Sequence, residues 1–144
     1  MTDIDDRAAD SAANPAASAP AEVPVSAPAS ASGDARPPQR RAQVVRLRSE
    51  HREEYLRLHR DVWPEVLAMI TACNIRNYSI FLHGDLLISY YEYIGEDHAA
   101  DMARMAADPA TQRWWKLTDP CQEQVPGAQA GEWWTVVPEV FHTD

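Results

Sequence analysis

Asn77-Tyr78-Ser79-Ile80-Phe81-Leu82 and Leu86-Leu87-Ile88-Ser89-Tyr90-Tyr91-Glu92-Tyr93-Ile94 are two β-branched and aromatic runs, separated by His83-Gly84-Asp85. Such runs about a glycine-containing turn predict a β-hairpin. Alternation along the first strand puts Tyr78, Ile80 and Leu82 on one face and Asn77, Ser79 and Phe81 on the other. Upstream, Ser49 is a plausible N-cap, and Glu50, Glu53 and Glu54 suit the positive end of a helix. The helical pattern runs through Tyr55, Leu58, His59 and Val62 and then meets Pro64. A bend at Asp61–Trp63 and a restart with Pro64 in a first turn are expected, with Val66, Leu67, Met69 and Ile70 continuing the apolar face to Cys73. Downstream, Glu96 to Ala107 is an Ala/Met-rich helical pattern stopped by Asp108-Pro109, after which a further helical turn carries Trp114 and Trp115. Ala42 to Leu47 reads as the first strand and Trp133 to Phe141 as the last, beyond a Pro/Gly loop over residues 120–132.

The resulting order, β-α-β-β-α-β, predicts an α+β, ferredoxin-like domain with helices on one face of an antiparallel sheet. Its other face, rich in aromatic strand residues, exposes more apolar area than a monomer tolerates, so a homodimer with two such faces in contact is expected.

Residues 1–40 are of another kind. They hold 12 Ala, 6 Pro and 5 Ser, and no Leu, Phe, Tyr or Trp. Too little apolar surface is available there to offset the entropy of ordering, so a disordered tail is predicted, with residues 41–144 as the folded domain. The acidic start (Asp3, Asp5, Asp6) does not suit a secretory or transit leader, and the expected location is cytoplasmic.

Among the 144 residues are 13 Lys plus Arg and 22 Asp plus Glu, a formal charge of -9, which disfavours a phosphate-binding groove and hence a nucleic-acid partner. No apolar run is long enough to span a membrane. The two cysteines, Cys73 and Cys121, make no disulfide framework, and no Cys/His cluster has metal-site spacing, so no metal is expected. Nucleophile elbow and phosphate loop are also missing, leaving proton transfer and binding as the accessible chemistry.

Tyr55 and His59 stand one turn apart on one helix face, and Trp63 shares that face if the helix holds its course. An imidazole is the side chain best matched to proton transfer near neutral pH. The same pair also fits an amphipathic core tyrosine beside a satisfied histidine. Consecutive on a helix, Trp114 and Trp115 point about 100° apart: one is core while the other lines a cleft, or both straddle a pocket edge. Aromatic planes there serve either as packing or as stacking surfaces for the C–H faces of a sugar. Tyr78 is placed to present a hydroxyl between sheet and helices. His51, His83 and His98, near element ends, read as solvated.

Glu54-Tyr55-x-x-x-His59, Val62-Trp63-Pro64-Glu65, Asn77 to Leu82, Arg113-Trp114-Trp115 and Glu139-Val140-Phe141-His142 together resemble the L-rhamnose mutarotase family, in order, over residues 42–143. The resemblance implies a dimeric α/β-barrel and interconversion of the α and β anomers of a 6-deoxy-hexose without a cofactor. It also implies that His59 is the catalytic acid/base and that Tyr55, Tyr78, Trp114 and Trp115 line the sugar site. The 120–132 loop and the added Trp133-Trp134 depart from the family pattern, so L-fucose stands beside L-rhamnose as substrate. Because fold does not fix function, a small monooxygenase on the same barrel and a non-catalytic sugar-binding module are the competing readings.

Overall fold

The computed structural model describes residues 36–144. Most of the expected 1–40 tail lies outside them, and its last two residues do not belong to it: strand β1 spans Gln39–Leu47, starting ahead of the expected domain boundary. Helices α1 (Arg52–Arg60) and α2 (Pro64–Ala72) follow, then strands β2 (Ile75–His83) and β3 (Leu86–Tyr93), helices α3 (His98–Ala107) and α4 (Pro109–Thr118), and two short strands, β4 (Gln122–Glu123) and β5 (Thr135–Val137). The sheet is antiparallel, ordered β2-β3-β1, with β4 and β5 both paired to β1. This is the ferredoxin-like order, its fourth strand supplied in two pieces.

The chain punctuates itself much as its local chemistry requires. Trp63 ends the bend in an extended conformation, and Pro64 opens α2 where a missing N–H costs nothing. Asn74, at φ 64, turns the chain out of α2 in the left-handed conformation that asparagine tolerates. His83 pairs with Leu86, so the hairpin loop is the two residues Gly84-Asp85, with glycine at φ 59. In β2 the register slips between Arg76 and Ser79, and Asn77, at φ 51, is the extra residue. That bulge lets Ile75 and Tyr78, three positions apart, both join the core against the helices.

Four further expectations are corrected. Ser49 caps nothing: a 3-10 turn, Ser49–His51, precedes α1, and the Ser49 hydroxyl bonds Glu50 instead. The Trp-bearing turn is the ten-residue helix α4, held by Asp108, whose carboxylate accepts from the Thr111 N–H and hydroxyl. His98 is not solvated: it is 5% exposed, with Nε2 2.9 Å from the Tyr91 hydroxyl. The final strand is not 133–141. Gln122 and Glu123 pair with Leu47 and Arg46, and a continuous strand would put residue 124 opposite Val45, whereas the β5 register puts Trp134 there. A ten-residue excursion therefore interrupts the edge strand.

Among the described residues, helices cover one face of the sheet. Toward them β1 and β3 present Gln43, Val45, Leu47, Leu87, Ser89, Tyr91 and Tyr93, all buried. Two clusters form the core, one built on Leu58, Val66, Ile75, Tyr91, Met105, Trp114 and Trp115, the other on Val45, Leu47, Tyr55, Leu87, Cys121 and Trp134.

Candidate active site

Where the two core clusters meet, packing leaves a cavity of about 340 Å³ between sheet and helices. This falls within the range of small-molecule sites. Its wall is mainly aliphatic and aromatic, including Val62, Val66, Ile70, Ile75 and Met105. Leu67 and Phe81, 51% and 60% exposed, also line it.

Helix α1 supplies Tyr55 and His59, whose rings stack with centroids 4.1 Å apart, as the one-turn spacing requires. The His59 and Trp114 rings meet edge to face at 5.4 Å, and the Trp63 and Trp114 rings do so at 5.3 Å. Trp63 packs against the core and Trp114 and does not line the cavity. Trp114 and Trp115 both line it, each 6% exposed. The expected site residues His59, Tyr55, Tyr78, Trp114 and Trp115 are therefore gathered around one cavity.

The protonation pattern of His59 follows from one contact. Its Nδ1 lies 2.9 Å from the Tyr55 backbone carbonyl, an atom that only accepts, so Nδ1 carries the hydrogen. In the neutral ring the lone pair is then on Nε2, which has no hydrogen-bond partner among the described residues. Burial holds the imidazole below its usual pKa, with the bond to the Tyr55 carbonyl opposing, so at neutral pH the ring is an uncharged base.

Burial likewise pushes the Tyr55 and Tyr78 phenols far above their ordinary range, so both remain protonated donors. Tyr78 makes no hydrogen bond among the described residues. Tyr55 accepts one at 3.4 Å from Gln122 Nε2, which partly offsets its shift.

Sequence reasoning missed Gln122, Thr118 and Asp119, all on the cavity wall. Nothing in the local pattern marks Gln122, whose position follows only from pairing with Leu47 at the far end of β1. The Trp133-Trp134 pair did stand out, and Trp134 is the member that lines the cavity, 1% exposed. No group of three or more His, Cys, Asp or Glu side chains among the described residues is arranged to hold a metal ion.

A family model described as L-rhamnose mutarotase matches residues 40–143. An L-fucose mutarotase from Xanthomonas campestris pv. campestris is 39% identical over 92 residues, covering 61% of this chain and 73% of that protein. An L-rhamnose mutarotase from Opitutus terrae is 36% identical over 77 residues, covering 54% and 73%. Among solved structures, an L-rhamnose mutarotase from Formosa agariphila superposes with a TM-score of 0.58 at 19% identity, over 74% of this chain and 99% of that one, which shows a shared fold.

Proposed function

The chain belongs to the L-rhamnose mutarotase family, and from that premise we propose that it interconverts the α and β anomers of L-rhamnose in the cavity beside His59. The observation carrying this reading is that His59, its Nε2 unpartnered, lines an aromatic-walled, monosaccharide-sized cavity.

The chemistry needs little more. His59 Nε2 takes the proton of the C1 hydroxyl while the bond from C1 to the ring oxygen breaks, and returns that proton to the ring oxygen. The open-chain aldehyde rotates about C1–C2. The released hydroxyl then adds to the other carbonyl face, with the same imidazole carrying its proton back to the C1 oxygen. Both oxygens are bonded to one carbon, so a single ring nitrogen serves them in turn, and the proton inventory closes with no net transfer. Tyr55 and Tyr78, held protonated, donate to sugar oxygens, and Trp114 and Trp115 flank the C–H faces. Positioned acid–base catalysis supplies roughly 10²–10⁴-fold, adequate for a ring opening that also proceeds unaided.

The largely apolar wall favours a sugar with a methyl at C6, because an added hydroxyl buried there without a partner costs about 1–3 kcal/mol. Likeness to an L-fucose mutarotase supports L-fucose as the second substrate. Saturation transfer between anomeric protons, with catalytic protein and L-rhamnose, L-fucose or D-glucose, tests the proposal: faster exchange for the deoxy sugars than for D-glucose is expected, and no acceleration for either deoxy sugar removes it.

The proposal includes a homodimer. The sheet face away from the helices carries Val44, Ile88 and Tyr90, only half-buried, and a second copy would cover them. Sedimentation equilibrium reading a monomer mass would exclude it. Cys73 and Cys121 are unpaired, which suits a reducing compartment and supports a cytoplasmic location, testable by fractionation.

A further inference from the structure

We propose that Gln122 is a positioning residue for this reaction: clamped by Trp133, it fixes the Tyr55 hydroxyl as a hydrogen-bond donor into the cavity. The inference rests on the mutarotase reading for its purpose, though not for its geometry.

Trp133 Nε1, which can only donate, lies 2.9 Å from Gln122 Oε1, and this assigns the amide orientation. Gln122 Nε2 consequently faces the Tyr55 phenol oxygen, 3.4 Å away. Gln122 is 4% and Tyr55 2% exposed, so bulk water offers neither group an alternative partner. Since the phenol oxygen takes an N–H, its own hydrogen must go elsewhere. No carbonyl or carboxylate among the described residues accepts it, and His59 lies stacked over the ring face. The direction left is the cavity that Tyr55 lines. The geometry thus orders the polarity, from indole to amide to phenol to substrate oxygen, beside the nitrogen that moves the proton.

The backbone holds this relay at both ends. Gln122 is anchored in the ladder opposite Leu47, and its carbonyl accepts from Arg48 Nε at 3.2 Å. Trp133 returns from the excursion through Glu132, whose carboxylate accepts the Gln129 and Val136 N–H groups, each at 3.2 Å. Gln124 Nε2 also donates to the Glu132 carbonyl. The excursion into the edge strand is therefore a built element that carries an indole back over the amide.

The test is a double-mutant cycle on L-rhamnose or L-fucose anomer exchange. Gln122→Met is expected to lower kcat about tenfold with little change in KM, and Trp133→Phe about threefold, the sizes expected from removing a buried hydrogen bond or loosening one. Tyr55→Phe should absorb the effect, so that adding Gln122→Met to it costs less than about a further twofold. A multiplicative double mutant, or an unchanged kcat in Gln122→Met, overturns the proposal. Wild-type protein that accelerates no exchange sinks the functional reading instead. In that event the 13Cζ resonance of Tyr55, assigned with Tyr55→Phe, decides the clamp: a shift in both Gln122→Met and Trp133→Phe sustains it, and an unmoved resonance overturns it.

Discussion

His59 and His98 are both helical histidines pressed between helices and sheet, and burial lowers the pKa of both. What separates them is the second ring nitrogen. His59 spends Nδ1 on its own helix, leaves Nε2 unpartnered and lines a cavity, whereas His98 spends Nε2 on the Tyr91 hydroxyl and has Nδ1 buried with no partner. Parallel to His98 lies the Tyr91 ring, the Tyr93 ring meets it edge-on, and His98 does not line the cavity that His59 lines. Burial and a shifted pKa therefore do not mark a catalytic histidine by themselves. A lone pair beside room for a substrate does.

The widest separation of the two should come from truncation. His59→Ala is expected to reduce anomer exchange by about 10²–10⁴-fold with the melting temperature nearly unchanged, measured by saturation transfer and calorimetry. His98→Ala should do the reverse, leaving kcat within about twofold while unfolding in urea becomes easier by about 1–3 kcal/mol, since the Tyr91 hydroxyl loses its partner. Equal losses of activity in the two variants would erase the distinction.

Next in size is acid. His98 titrates at about 4 in the folded protein and near 6.5 when unfolded. Between those values the unfolded chain binds more protons, so stability falls as pH falls, by up to about 3 kcal/mol, and is unaffected by this group above that window. His98→Ala should flatten that slope in pH-dependent denaturation. Exchange, by contrast, should lose rate on the acid side at a pH below the ordinary histidine value, where His59 becomes protonated, and be level through neutrality. A smaller effect is expected from Tyr78→Phe: kcat/KM down about tenfold through one lost donor to the substrate, with stability little changed.

Much of this was legible locally. The hairpin, the break before Pro64 and the stacking of Tyr55 on His59 each depend on a turn signal or on helical periodicity, which neighbouring residues carry. His98 was misread for the same reason: it sits among alanines after the capping Asp97, and nothing nearby announces that Tyr91 and Tyr93 close over it. The split edge strand escaped because its register is set by β1, some 80 residues earlier in the chain. Gln122 inherits that difficulty, since the two side chains it touches, Tyr55 and Trp133, reach it from an early helix and from a loop.

The divided edge also bears on how the molecule behaves in company. An uninterrupted outer strand offers a row of unpaired N–H and C=O groups onto which another chain can add, the usual beginning of aggregation. Here that border is a two-residue and a three-residue piece on either side of a protruding loop. A chain shortened to join them would gain a long, flat margin, and its solubility on expression should fall accordingly. The loop that brings Trp133 to Gln122 is thus also a guard against sticking.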